Sequence, residues 1–331
     1  MQNKLIKKIF VCEFITGGGL CAEQLPESMV KEGALMRDAL LQDLSHLPYK
    51  IYTTVDARLK PPRNVEKCIV VQPDANIWQV WEAQIKLVDA VWIIAPETDG
   101  LLQYLTQLAV RYGKRILGCG LVSVKVTSEK LTTCLALQKA GISTIPTHTY
   151  DDWKKTDITW LAKPNDGAGC GDTVCFDNSD ELQDWFAQNG RRHTHVIQAY
   201  QEGTPASISC VMHQGKAEVL SCNTQLVSVE NKALAFKGCV VNGMKAHWQQ
   251  FQTIAQKVAQ AMPDLAGYVG IDVIVTSREI CVVEINPRLT TSYAGLHKAT
   301  GVNLAELIIN TLTVPDYVWP KLKKNKATIH V

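Results

Sequence analysis

Residues 268–288 constrain the fold more than any other stretch of this chain. They read Tyr-Val-Gly-Ile-Asp-Val-Ile-Val-Thr-Ser-Arg-Glu-Ile-Cys-Val-Val-Glu-Ile-Asn-Pro-Arg. Two β-branched runs flank a polar turn at residues 276–279, which predicts a β-hairpin. Side chains two apart share a face of a strand. Val269, Ile271, Val273 and Val275 therefore face away from Asp272 and Ile274, and Cys281, Val283 and Ile285 away from Glu284 and Asn286. A loop centred on Arg278 pairs Asp272 with Glu284 and Ile271 with Ile285. A two-residue turn at Ser277-Arg278 would instead put Glu284 opposite Ile271, on the wrong face. In the favoured register the carboxylates are cross-strand neighbours, with Cβ atoms roughly 4.5–5.5 Å apart.

Like charges so placed are destabilising, and a divalent cation between them turns that repulsion into a binding site. Asn286 shares the face of Glu284 and adds a neutral oxygen ligand. Asp272, Glu284 and Asn286, with no His or Cys, suit Mg2+, which takes few protein ligands besides water and substrate phosphates. A solvated acidic face is the competing reading of the pair alone. The Asn286-Pro287-Arg288 that follows and a glycine-rich loop upstream favour the metal.

With 331 residues the chain has room for two or three domains. A formal charge of +2 gives no reason to expect nucleic acid or a membrane as partner. The eleven cysteines form no Cys-x-x-Cys pair, and Cys12, Cys210 and Cys281 sit in strand-like runs. They read as reduced core thiols of a cytoplasmic protein. The first residues lack the apolar core and cleavage site of a signal peptide. No apolar run is long enough for a spanning helix.

Strands at residues 8–14, 49–55, 68–71, 90–95 and 115–117 alternate with helices at 26–44, 77–87 and 97–112, which predicts an open parallel α/β domain over residues 1–122. Ligands of such sheets sit at the carboxyl ends of the strands. Thr16-Gly17-Gly18-Gly19 and Ala95-Pro96-Glu97-Thr98 fall there. The glycines do not match G-x-G-x-x-G, so no dinucleotide fold follows, and a plain tight turn accounts for them equally well. Residues 123–129 read as a linker, with Ser128 capping a helix at 130–140 that Gly141 ends. The strand at 158–163 runs into Lys163-Pro-Asn-Asp-Gly-Ala-Gly-Cys-Gly171 and a strand at 173–176. This is not a Walker loop, which leads into a helix, yet its N–H groups can cradle phosphate. A helix at 179–189, strands at 195–199, 206–212, 217–222 and 233–241, and helices at 248–261 and 304–312 complete the pattern. Residues 321–326 read as a solvated basic tail.

Taken in order, Lys130, Lys163 with its glycine-rich loop, Gln198-Ala199-Tyr200, Gly270-Ile271-Asp272-Val273 and Glu284-Ile285-Asn286-Pro287-Arg288 resemble the ATP-grasp superfamily of ADP-forming ligases. The resemblance spans residues 124–315, and the preceding α/β unit is similar to a pre-ATP-grasp domain. The implied fold is therefore α/β followed by α+β, with a small lid subdomain at 123–200 and a metal-bearing subdomain at 201–331. The resemblance implies ATP and one or two Mg2+, with Mn2+ as a substitute. Lys130 and Lys163 would hold phosphates, under a loop of Gly167, Ala168, Gly169 and Gly171. Gln198, where many relatives carry Glu, and the backbone of Ala199, Tyr200 and Gln201 would border adenine, with Glu202 at the ribose. Asp272, Glu284 and Asn286 would bind the metal, and Arg288 would steady an acyl phosphate. Asn223 and Gln225 either point into the site or face solvent.

Cys12-Glu13-Phe14-Ile15-Thr16-Gly17-Gly18-Gly19-Leu20 and the Ala95–Thr98 stretch resemble the first domain of tyramine–L-glutamate ligases, which serve methanofuran-type cofactor synthesis. That implies L-glutamate and an aromatic amine as substrates, with Thr16, Gly17, Gly18, Gly19 and Arg288 at the substrate. A D-alanine–D-alanine-like or other amino-acid ligase and a non-catalytic nucleotide-binding module are the alternatives. The partners expected are small-molecule carboxylates and amines, with a homodimer left open and no general base identified.

Overall fold

The structure, a computed structural model, describes residues 5–167, 169–187 and 190–331. Val91-Trp92-Ile93-Ile94 is buried along its length, which suits a sheet covered on both faces. Among the described residues this sheet has five parallel strands: β1 (Lys8–Glu13), β2 (Lys50–Asp56), β3 (Lys67–Val71), β4 (Ala90–Ile94) and β5 (Arg115–Ile116), in the order β3-β2-β1-β4-β5. Helices α1 (Glu27–Leu44), α2 (Ile77–Leu87) and α3 (Leu101–Arg111) connect its strands. Asn76 starts α2 by accepting from the Gln79 amide at 3.2 Å. This is the open α/β unit expected from the alternation.

Residues 123–129 are not a linker. They fall largely in α4 (Leu121–Thr127), whose Val124 is buried and whose Ser123 hydroxyl donates to the Asp264 carbonyl at 3.1 Å. Ser128 does not cap α5 (Lys130–Lys139); its hydroxyl donates to the Val124 carbonyl at 2.7 Å and closes α4. The α5 amides are met from a distance instead. Asn165 accepts from Lys130 N through its carbonyl at 2.8 Å and from Leu131 N through its side chain at 3.0 Å.

The second sheet holds β6 (Thr147–His148), β7 (Trp160–Pro164), β8 (Val174–Phe176), β9 (His195–Ala199), β10 (Thr204–His213), β11 (Lys216–Glu230), β12 (Ala233–Val241), β13 (Gly267–Val275), β14 (Ile280–Asn286) and β15 (Ala327–His330). Among the described residues the order is β14-β13-β10-β11-β12-β8-β7-β9-β6, with β15 beside β12. The associated helices are α6 (Ser179–Phe186), α7 (Arg191–Thr194), α8 (Trp248–Ala261), α9 (Tyr293–Thr300) and α10 (Leu304–Thr313). The end of the α6 expectation, residues 188–189, lies outside the described residues. Sequence reading missed β6, α7, β15 and α9. Residues 321–326 are not a free tail, because the amides of Lys323 and Asn325 donate to Thr300 and Ala299 carbonyls at 2.8 and 3.0 Å. Lys324 also lies 3.5 Å above the Trp248 ring.

The two sheets share cores. Leu40 and Leu44 of α1 join one buried cluster with Leu296 of α9 and Ile308 of α10. Buried Asp43 accepts from Tyr293 Oη at 3.0 Å and Leu304 N at 3.2 Å across the same seam. The strands β7 and β9 pack in a separate cluster with Trp160, Phe186 and Ile197.

The hairpin forms with Asp272 opposite Glu284 and Ile271 opposite Ile285, as expected. Its turn differs. Val275 pairs with Ile280 and Thr276 N donates to Glu279 O at 2.9 Å, so Ser277-Arg278 is the two-residue turn. That turn alone would set Glu284 opposite Ile271. An irregularity between Asp272 and Val273 restores the register, with Val283 as the extra residue of a β-bulge. Residues 143–144 hold the bulge from outside: Val282 N donates to Ser143 O at 2.9 Å, and Thr144 Oγ1 to Val282 O at 2.8 Å. Val282 therefore joins the core, and Val283, expected there, lines the cleft instead.

Candidate active site

A cleft of about 370 Å³ is walled by β10 to β14 and the ends of β7 and β9, with Glu32 of α1 at its edge. Asp272, Glu284 and Asn286 share one wall because the bulge keeps them in register. Gly270, two residues before Asp272, admits Thr290; a Cβ there would sit 2.6 Å from Thr290 Cγ2. Lys163 enters from β7, and Lys130 from the first turn of α5. Asn165, which holds that turn, belongs to the glycine-rich loop, so helix start and loop are one unit.

Lys130 Nζ lies 3.3 Å from Glu284 Oε2 and donates to the Gly167 carbonyl. Asp272 accepts from Gln225 Nε2 at 2.9 Å and from Asn286 Nδ2 at 3.2 Å. Burial and the repulsion of Glu284 push the Asp272 carboxyl well above the usual carboxylate range. Burial opposes the charge on Glu284 too, but Lys130 and Lys163 outweigh it and hold that carboxyl below its ordinary value. Burial draws the Lys163 ammonium down to about 8, helped by Lys130 and opposed by Glu284. Two buried lysines beside an acid whose charge is disfavoured form a place where an anion and a cation can enter together.

Among the described residues no group of three or more His, Cys, Asp and Glu side chains could hold a metal ion. The donor set is two carboxylates and one amide. It fits a hard cation whose remaining ligands come from phosphate and water, and the raised Asp272 carboxyl is the charge such a cation would relieve.

Gly169 and Cys170 line the cleft, while Gly167 meets it through Lys130. Gly171 is not among the lining residues, and Ala168 lies outside the described residues. Gln198 is 1 % exposed; its Nε2 donates to Thr147 Oγ1 at 2.6 Å, and its Oε1 has no partner among the described residues. Such a buried acceptor in a cleft wall calls for a donor from a ligand. Tyr200 and Gln201 line the same end, whereas Ala199 and Glu202 do not. Gln225 faces the site. Asn223 does neither of the expected things: it is fully buried and donates to Ser207 and Ser209 at 3.2 and 3.0 Å.

Arg288 lines the cleft, gripped by the first sheet's loop after β4. Its Nε and Nη2 donate to the two Glu97 carboxylate oxygens at 2.9 and 2.8 Å. Thr16, Gly17, Gly18 and Gly19 are not brought to the cleft. Thr16 N and Oγ1 donate to Glu13, and the glycines pack on Thr54, Val71 and Phe14. Glu97 stood in a loop already marked by its place after a strand, so its ligand-end position was the available signal. Asn165 stood in the marked glycine-rich loop, but Glu32 and Thr290–Ser292 gave no signal, because each is placed by contacts distant in sequence.

Two domain models match, one described as "ATP-grasp domain" over residues 127–292 and one as "pre ATP-grasp 3 domain" over residues 49–124. The tyramine–L-glutamate ligase of Methanocaldococcus jannaschii is 28% identical over 338 residues, covering 99% of this chain and 98% of that protein. Its counterpart in Methanocaldococcus fervens is 29% identical over 320 residues, covering 92% and 94%. The crystal structure of an ATP-grasp superfamily protein from Archaeoglobus fulgidus superposes with a TM-score of 0.70 at 22% identity, covering 98% of this chain and 99% of that one.

Proposed function

Because the chain belongs to the ATP-grasp family, we propose that it is an ATP-dependent carboxylate–amine ligase that joins L-glutamate, through its side-chain carboxylate, to an aromatic amine such as tyramine or tyrosine. The observation that carries the chemistry is the wall on which buried Lys130 and Lys163 meet the Asp272–Glu284 pair. The substrate pair is supported by the near-full-length relatives named as tyramine–L-glutamate ligases.

In this reading the substrate carboxylate attacks the γ-phosphorus of ATP, ADP leaves, and an acyl phosphate forms. The amine then attacks the acyl carbon, phosphate departs, and the amine's proton passes to solvent. Phosphoryl transfer asks for positioning and charge neutralisation more than a protein nucleophile. Lys130 and Lys163 hold the phosphates, and Gly169 and Cys170, which line the cleft, offer N–H groups to them. Gln198 Oε1 accepts from the exocyclic amine of adenine. Asp272, Glu284 and Asn286 would hold Mg2+, which neutralises phosphate charge and orients the transferring group. Arg288, fixed by Glu97, meets the oxyanion side of the reaction; its planar fork suits a trigonal phosphoryl or acyl group. No nucleophile elbow is needed.

The test incubates the protein with Mg-ATP, L-glutamate, and tyramine or tyrosine. The expected result is stoichiometric ADP and a γ-glutamyl amide seen by mass. ADP release supported only by other acids would retain the ligase and remove glutamate.

A further inference from the structure

Beyond Arg288 the cleft continues to Glu32 on α1, facing Thr290, Thr291 and Ser292. Along the wall Lys130 has Glu284, Arg288 has Glu97 and Asp272 has two amides, while Lys163, assigned above to the phosphates, is a cation that needs an anion. Glu32 differs. Among the described residues it joins no ion pair, and its hydrogen bond is a 3.5 Å one from Thr291 Oγ1. Burial raises its carboxyl above the ordinary value, with Arg288 and Thr291 only partly opposing.

A half-buried carboxylate with no ion-pair partner gains most from a ligand that brings a cation into contact with it. An incoming phosphate or carboxylate would be repelled there. A primary ammonium fits, since its three N–H groups can be shared between a carboxylate and hydroxyls. The hydroxyls are already fixed: Tyr268 Oη lies 2.7 Å from Thr290 Oγ1 and 3.1 Å from Ser292 Oγ. The attacking amine must arrive as the free base, and a carboxylate gripping it would favour its protonated, unreactive form. The ammonium held here is therefore one that does not react.

We propose that Glu32 receives the non-reacting ammonium of an amino-acid substrate and so selects amino acids over plain carboxylic acids. The proposal rests on the ligase reading above and adds a specificity residue from the first sheet. With glutamate joined through its side chain, the group bound would be its α-ammonium.

The test measures ADP release with acids that differ only in the α-amino group: glutamate against glutarate, aspartate against succinate, alanine against propionate. Mg-ATP and a saturating aromatic amine are present, and the wild type is compared with Glu32→Gln, which keeps shape and the Thr291 contact. The wild type should prefer the amino member. Glu32→Gln should raise KM for the amino acid about ten- to hundredfold, shrink the preference equally, and leave KM for ATP unchanged. A merely structural role would lower kcat with all acids alike and lower the thermal midpoint. That result overturns the proposal, as does an intact preference in the variant. If an amino acid other than glutamate is preferred and the preference still collapses in Glu32→Gln, the glutamate reading falls and this inference stands. If no acid of the panel supports ADP release, both fall.

Discussion

The loop after β1 and the loop after β7 are both glycine-rich, yet one is packed shut and the other borders an open cleft. At Gly18, with φ +102°, an added Cβ would lie 2.8 Å from Val71; at Gly19 it would lie 2.6 Å from Phe14. At Gly169, with φ +64°, it would meet nothing within 4 Å. The first loop uses glycine because backbone must press against a neighbouring strand and its own aromatic. The second uses it to turn left-handed beside Lys130 and Lys163 while staying open. Glycine content alone does not separate these cases; what the missing Cβ would touch does.

The largest effect that tests this division is at the cleft. Asp272→Asn should lower turnover about 10²–10³-fold, since it removes a charge facing the phosphates and metal. It should keep or raise the thermal midpoint, because in the free protein that buried carboxylate is opposed by burial and by Glu284. Rapid ADP release by this variant at limiting Mg2+ would remove the site from this wall. Gly18→Ala should do the reverse. It should destabilise by about 3 kcal/mol from left-handed strain and overpacking, read as a midpoint several degrees lower, with KM for ATP unchanged in the folded protein. A raised KM without destabilisation would put that loop back among ligand-binding segments.

Gly169→Ala shares the positive φ but not the clash, so it should destabilise by only about 1 kcal/mol while raising KM for ATP severalfold. Equal destabilisation by Gly18→Ala and Gly169→Ala would erase the contrast. The smallest effect is in pH. Lys163 titrates near 8 in the free protein, so metal-free ADP affinity should fall severalfold between pH 7 and 9 as its ammonium is lost. Lys163→Arg should flatten that fall, because guanidinium stays charged. Calorimetric titrations in which the wild-type affinity is flat or rises over this range would take Lys163 off the phosphates.

Sequence alone determined what depends on short-range periodicity: the parallel strand–helix alternation, the bounds of α2, and the facing of Asp272 and Glu284. The last was reached through a wrong turn. Ser277-Arg278 closes the hairpin, and the Val283 bulge, held by residues 143–144, recovers the register. Tertiary structure decided that bulge, the capping of α5 by Asn165 rather than Ser128, the burial of the first glycine loop, and the Glu97–Arg288 grip. Glu97 and Arg288 are 191 positions apart, and no local spacing rule links them. Periodicity shows which side of a strand a residue takes; only packing decides what stands opposite it.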